Sequence, residues 1–198
     1  MALSLVPART LHVVIDMQRL FAEETDWHTP VIADILPNVL CLCEACQGRT
    51  IFVKFMVPRS INEAPGQWKN YYRRWATILN DAPDSGLLDL VAPLAALADD
   101  GSTVEKRTYS VFGTPAFAER LHAEGVDTLV FSGVETDVCV YASVLDAIDL
   151  GFRVVLASDA IGSSDMAAHE ATMNILVPRL CDQLEPATTL AILDAWGR

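Results

Sequence analysis

Residues 127–157, DTLVFSGVETDVCVYASVLDAIDLGFRVVLA, carry the reading from which the fold follows. Asp127 to Ser132 is a short apolar run of the kind that forms a buried parallel strand. Asp137 to Leu150 repeats its apolar residues at helical spacing and ends at Gly151, which suits a helix C-terminus, and Phe152 to Ala157 is a second strand. Strand, helix and strand in about thirty residues make a βαβ unit, whose strands must be parallel because the helix carries the chain back across the sheet.

The same rhythm extends outward in both directions. Leu11-His12-Val13-Val14-Ile15-Asp16 reads as a first strand, Pro30 to Gln47 as a helix stopped by Gly48, and Thr50 to Val57 as a second strand. Segment 58–83 breaks the alternation, with Pro58, Pro65, Gly66 and Pro83 around an aromatic helix from Gln67 to Leu79. Ser102 to Lys106 is a third strand and Thr114 to Glu124 a helix closed by Gly125. Met166 to Leu180 is a further helix, and Thr188 to Leu193 the expected sixth strand. The expectation is an α/β fold: a doubly wound, six-stranded parallel sheet with helices on both faces, in one domain spanning residues 1–198. Ligands of such sheets sit at the carboxyl ends of the strands, near the point where the winding reverses.

Composition narrows the function classes. A chain of 198 residues that is 52% hydrophobic and 20% charged has the makings of a packed core. A formal net charge of −12 opposes nucleic acid and anionic membrane surfaces, which both require a basic footprint. Met1 to Ala8 is apolar but has no cationic leader, and no run reaches the ~18 apolar residues of a spanning helix, so the expected location is the cytoplasm. Five cysteines, an odd number, are expected to be reduced thiols. Cys41, Cys43 and Cys46 lie inside an apolar helical run with no second pair nearby, which favours core packing over a zinc site, and Cys181 has no partner either.

Three reactive side chains mark strand ends: Asp16 after the first strand, Lys106 at the third and Cys139 after the fourth. Parallel strands bring all three to one rim. Cys139 follows Ser132-Gly133-Val134-Glu135-Thr136-Asp137-Val138, so its thiol is expected in the first helical turn, where unpaired amides and the helix dipole favour a thiolate and hold an oxyanion. Each residue also has a plain structural reading: an inert buried cysteine, an acid capping a turn, a lysine snorkelling at an edge. Those readings leave unexplained an acid and a base ending apolar strands beside a cysteine, where an unpaired buried charge costs several kcal/mol.

The chain resembles the isochorismatase-like cysteine hydrolases. The resemblance rests on three stretches in order: Asp16-Met17-Gln18 with Phe21; Lys106 with Tyr109, Ser110, Phe112 and Thr114; and Gly133-Val134 with Thr136, Asp137 and Cys139. Leu150-Gly151-Phe152 and Ser158-Asp159-Ala160 extend it to about residue 178. It implies a catalytic triad of Cys139, Asp16 and Lys106, a cis peptide at Val134–Glu135, and an oxyanion hole from the backbone N–H groups of Glu135 and Cys139. It also implies a thioester route for cleaving the C–N bond of a small amide, ureido or carbamoyl compound, and assembly as a homo-oligomer, dimer or tetramer.

The chain departs from one branch of that family. Members acting on nicotinamide carry an Asp-x-His metal cluster after the second strand, where this chain has Met56-Val57-Pro58-Arg59, and His12, His28, His122 and His169 are scattered. The expectation is no metal, no cofactor, and a substrate other than nicotinamide. Phe21, Trp68, Tyr72, Trp75, Phe112 and Tyr141 are candidate walls of an apolar pocket, with Arg59 a candidate partner for a substrate carboxylate; core or subunit contact is the alternative for these aromatics. Three other functions stay open: vinyl-ether hydrolysis, which does not need a nucleophilic cysteine, a redox sensor built on Cys139, and a non-catalytic scaffold. A nucleotide-binding domain is disfavoured because the turn Asp16-Met17-Gln18-Arg19-Leu20-Phe21 has no glycine-rich phosphate loop.

Overall fold

A computed structural model describes residues 3–81 and 86–197. Six strands, β1 (Thr10–Ile15), β2 (Thr50–Phe55), β3 (Thr103–Lys106), β4 (Thr128–Val134), β5 (Arg153–Gly162) and β6 (Leu184–Ala187), form one sheet in the order β3-β2-β1-β4-β5-β6, parallel throughout. The helices are α1 (Arg19–Ala22), α2 (Ile32–Ala45), α3 (Trp68–Arg74), α4 (Ala76–Asp81), α5 (Ala92–Ala95), α6 (Pro115–Ala123), α7 (Tyr141–Asp149), α8 (Met166–Ala171) and α9 (Thr189–Trp196). From β1 the chain winds outward through β2 to β3, then crosses to β4 and winds the other way. Right-handed crossovers therefore place α2 on one face and α6 and α7 on the other, and α9 returns to pack on α2. The winding reverses between β1 and β4, and the crevice at their carboxyl ends lies between Ile15 and Gly133.

β1 and β4 are buried along their whole length, so they read as continuous apolar runs without alternation. Their spacing tolerates no side chain at Gly133. It has φ 104°, and a Cβ there would lie 2.1 Å from the Ile15 carbonyl oxygen. His12, fully buried in β1, keeps a polar line inside the sheet: its Nε2 meets Ser132 Oγ at 2.8 Å and its Nδ1 meets Thr50 Oγ1 at 3.4 Å. Burial lowers its pKa to about 3, so the ring is neutral.

Several expected elements differ: the helix expected from Gln67 to Leu79 divides at Trp75 into α3 and α4, and the one expected from Asp137 to Leu150 opens as a π-turn (Thr136–Val140) before α7. Thr188 to Leu193 is not a strand: β6 lies just before it and these residues open α9. Thr188 Oγ1 caps the helix by accepting from Ala191 N, and Asp159 Oδ1 accepts from both Thr189 N and Thr189 Oγ1. Burial of Thr189, Ile192 and Ala195 with exposure of Leu190 has the three-residue step of a helix face, which a run of only six residues does not distinguish from a strand. The expected helix 166–180 holds α-geometry only to Ala171, then widens into a π-turn (Thr172–Leu176) and tightens into a 3-10 turn (Val177–Leu180) that contains Pro178, a residue without an N–H to continue the ladder. Cys43 and Cys46 are buried as expected of core residues, but Cys41 and Cys181 are exposed.

Candidate active site

Asp16 follows the last paired residue of β1. Its amide still donates to Val53 O at 3.0 Å, but its φ of 54° turns the chain, and Gln18 N donates back to Asp16 O at 2.8 Å. A non-glycine residue in that region is held by its surroundings, and here the clamp is Gln18. Its side chain accepts from Phe55 N at 2.7 Å and donates to Phe55 O at 3.2 Å and Leu88 O at 2.8 Å. The end of β2 and the loop before α5 are thereby tied to the Asp16 turn.

Lys106, the last residue of β3, reaches across beneath β2. Its Nζ donates to Asp16 Oδ2 at 2.7 Å and to Thr108 O at 3.1 Å and lies 4.6 Å from the centre of the Phe55 ring. Both side chains are withdrawn from solvent, at 0% exposure for Lys106 and 1% for Asp16. Burial opposes the charge on Lys106, yet Asp16 and then Cys139 outweigh it and hold the ammonium above its ordinary pKa. Burial pushes the Asp16 carboxyl up, against the pull of Lys106. Asp16 Oδ1, also buried, has no hydrogen bond of good geometry among the described residues, while the Cys139 thiol is close enough to pull the carboxyl's pKa down.

Cys139 stands in a π-turn, Thr136–Val140, that precedes α7. The turn begins at the cis peptide Val134–Glu135, and Glu135 O accepts from Val138 N at 3.2 Å and Val140 N at 3.0 Å. Side chains brace it from outside: His169 Nδ1 meets Thr136 Oγ1 at 2.9 Å, Ser163 Oγ donates to Asp137 Oδ1 at 2.5 Å, and Ser143 Oγ donates to Cys139 O at 2.7 Å. The expectation of a thiol lowered by a helical first turn is not met. Burial raises the Cys139 thiol; Lys106 opposes this and Asp16 reinforces it.

Asp16 and Cys139 form the floor of a cavity of about 180 Å³. Phe21, Trp27, Phe55, Tyr71, Trp75 and Tyr109 supply rings to its walls, and Asp26, His28, Glu135 and Ser164 supply polar groups. Trp27 is the hub of the ring cluster, 5.8 Å from Phe55 and from Tyr71, 6.0 Å from Phe21 and 6.3 Å from Trp75. Its indole Nε1 is buried without a hydrogen-bond partner among the described residues. The Glu135 carboxyl accepts from Ser164 N at 2.8 Å and Thr29 Oγ1 at 3.4 Å. Burial pushes the Tyr71 phenol up, so it stays protonated.

A family model described as the Isochorismatase domain matches residues 10–187. The chain belongs to the isochorismatase family. Nicotinamidase 3 of Arabidopsis thaliana is 30% identical over 167 residues, covering 81% of this chain and 77% of that protein. Ureidoacrylate amidohydrolase of Cronobacter turicensis is 27% identical and covers 96% and 95% of the two chains. A crystal structure of a cysteine hydrolase from Pseudomonas syringae pv. phaseolicola 1448A superposes with a TM-score of 0.83 at 23% identity, over 98% of this chain and 95% of that one, which shows the shared fold. Relatives in the family hydrolyse non-peptide amides.

Of the wall residues expected from the sequence, Phe21 and Trp75 line the cavity. Trp68 and Tyr72 do not. Trp68 packs edge-on against Tyr71 at 5.2 Å and tilted against Tyr109 at 4.9 Å and faces a separate depression, and Tyr72 is buried in the core. Phe112 is turned away by the 3-10 turn Val111–Gly113 and packs on Phe117 and Phe152 at 5.3 and 6.0 Å. Tyr141 is two residues beyond Cys139, a step that turns a side chain to the far side of a helical turn, and it is absent from the lining. Arg59 is exposed outside the cavity, in a loop where its amide donates to Glu63 Oε2 at 3.1 Å. Segment 58–86, which contains the aromatic helix expected from the sequence, reaches the cavity through Tyr71 and Trp75; residues 82–85 of it lie outside those described.

Trp27, Tyr71, Tyr109, Phe55 and the polar rim were not singled out from sequence as pocket residues. Asp26-Trp27-His28 sits in an irregular stretch where no periodicity points inward. Among the described residues no group of three or more His, Cys, Asp or Glu side chains is placed to hold a metal ion, and Met56, Val57 and Pro58 after β2 offer no carboxylate or imidazole. No helix of the described residues is long and apolar enough to cross a membrane.

Proposed function

We propose that this chain is a cysteine hydrolase that cleaves the C–N bond of a small amide, ureido or carbamoyl compound through a thioester on Cys139. The observation that carries the reading is the buried Lys106–Asp16 pair beside the Cys139 thiol on the cavity floor, with the second carboxylate oxygen of Asp16 lacking a good hydrogen bond. An acid desolvated to this degree is a stronger base than it is in water, and the fixed ammonium keeps it ionised.

In this reading Asp16 takes the thiol proton as the sulfur attacks the substrate carbonyl carbon, and Lys106 stabilises the negative charge shared between carboxyl and thiolate. The backbone N–H groups of Glu135 and Cys139 serve the developing oxyanion. Collapse of the tetrahedral adduct breaks the C–N bond while Asp16 passes its proton to the departing nitrogen, which leaves as ammonia or an amine. Asp16 then removes a proton from water, whose oxygen attacks the thioester; the carboxylic acid departs and the thiol recovers its proton. Amide and water are consumed, acid and amine are released, and the enzyme is unchanged.

Ammonia release from a panel of small amides, ureides and carbamoyl amino acids, with and without added divalent metal, tests the reading against a Cys139→Ala control. The reading expects turnover by the native chain alone. Steady-state hydrolysis by Cys139→Ala, or silence of the native chain across the whole panel, removes it.

A further inference from the structure

The cavity's charges point to one substrate class. Its lining contains Asp16, Asp26 and Glu135 but, among the described residues, no lysine or arginine; the nearest ammonium, Lys106, is already held by Asp16 at 2.7 Å. A carboxylate entering here would lose hydration among three acidic groups, and among the lining residues only the half-buried His28 imidazole is able to carry a positive charge towards it. Aromatic faces carry the opposite preference, because a ring's negative face attracts a cation, most strongly for tryptophan. Trp27, Trp75, Tyr71 and Phe21 line the same space as Asp26 and Glu135, and the Tyr71 phenol is neutral. Rings and acids on one wall are the chemistry of an ammonium site.

We infer that the cavity selects amides whose far end carries an ammonium group, accepts an uncharged end less well, and rejects a carboxylate. This rests on the amide-hydrolase reading for where the carbonyl sits, over Cys139. The ammonium end then lies among Trp27, Trp75 and Tyr71, facing Asp26 at the mouth and Glu135 deeper in. A cavity of about 180 Å³ confines the substrate to a small molecule, below the ~300–1,000 Å³ of drug-sized sites.

Three amides with the same spacer test it: 4-aminobutanamide, pentanamide and glutaramate, which end in ammonium, methyl and carboxylate after the same three methylenes. Calorimetric titration of each into Cys139→Ala reads binding without turnover. The expected order of affinity is ammonium, methyl, carboxylate, with at least about tenfold between the extremes. Asp26→Asn in the same background weakens the ammonium compound by about fivefold, the upper range for a partly exposed ion pair, and tightens the carboxylate compound. Equal affinities, a preference for glutaramate, or no binding of any of the three overturns the inference. Turnover of the same compounds by the native chain is scored separately, so a hydrolase that prefers glutaramate is distinguished from a selective cavity that cleaves nothing.

Discussion

Replacing Lys106 with methionine isolates the energy on which the site depends. The substitution keeps an unbranched apolar stem in a space that fits one and removes the ammonium 2.7 Å from Asp16 Oδ2. At an effective dielectric of 20 the pair's attraction is about 6 kcal/mol, offset by the cost of desolvating both ions. Removing one member leaves the other charge buried, which typically costs about 3–5 kcal/mol out of a domain's total of about 5–15 kcal/mol. Loss of the contact over Phe55 falls within that range. With an m-value near 2 kcal/mol/M, the urea midpoint drops by about 1.5–2.5 M. The sign with pH is set by Asp16, whose folded pKa, already raised by burial, rises further once Lys106 no longer lowers it. A raised carboxyl costs stability above its folded pKa and is relieved as pH falls toward its unfolded value, so the deficit shrinks by up to about 1.4 kcal/mol per pH unit below that folded pKa. Asp16→Asn/Lys106→Met regains at least about 2 kcal/mol over Lys106→Met. Urea titrations of the four proteins of this cycle at pH 5, 6 and 7 measure all of these quantities. A loss below 1 kcal/mol in Lys106→Met, or a deficit that grows as pH falls, refutes a buried ion pair.

Three further outcomes concern other buried groups of the sheet and site. His12, lowered to about 3 by burial, contributes stability that is complete above its unfolded value of 6.5 and is lost as pH falls through the folded value. The loss is on the order of 3 kcal/mol by pH 4, so chemical denaturation between pH 7 and 4 shows a slope that His12→Gln flattens, and an unchanged slope contradicts it. Gly133→Ala puts a Cβ 2.1 Å from Ile15 O at a φ of 104°, and it lowers stability by more than about 3 kcal/mol; a melting temperature within 3 °C of the native chain shows that the β1–β4 approach is looser. Burial raises the Cys139 thiol and keeps it protonated, so iodoacetamide added without substrate labels exposed Cys41 and Cys181 before it at pH 8, as peptide mapping reads, and first labelling at Cys139 contradicts this.

The sheet was legible because its signal is local and repeated. Five apolar runs, each followed by a helix or a break, specify parallel strands, and parallel strands carry Asp16, Lys106 and Cys139 to one edge whatever the details of packing. Thr188 to Leu193 failed for a stated reason: six residues hold no full helical period, and the cap that decides the matter comes partly from Asp159, thirty residues away. The π-turn at Cys139 was hidden in the same way, since Ser163 and His169, which brace it, lie on the far side of β5's bulge. Pocket walls were the least legible part. In α3 and the residue after it, Trp68, Tyr71, Tyr72 and Trp75 fall on one broad face at steps of three and four, and spacing alone does not say that Tyr71 and Trp75 line the cavity while Trp68 and Tyr72 do not. Trp27 belongs to no periodic element, so its place at the centre of the ring cluster is visible only in three dimensions. Arg59, attractive by charge, stands in a loop outside the cavity.

Acid quenching of the native chain during turnover of a cleavable amide, followed by intact-mass and peptide measurement, tests the central claim most directly. The account predicts a transient adduct equal in mass to the acyl half of the substrate, carried on the peptide containing Cys139 and discharged by hydroxylamine. Continued amide hydrolysis with no adduct at Cys139, under conditions where acylation outruns deacylation, contradicts it.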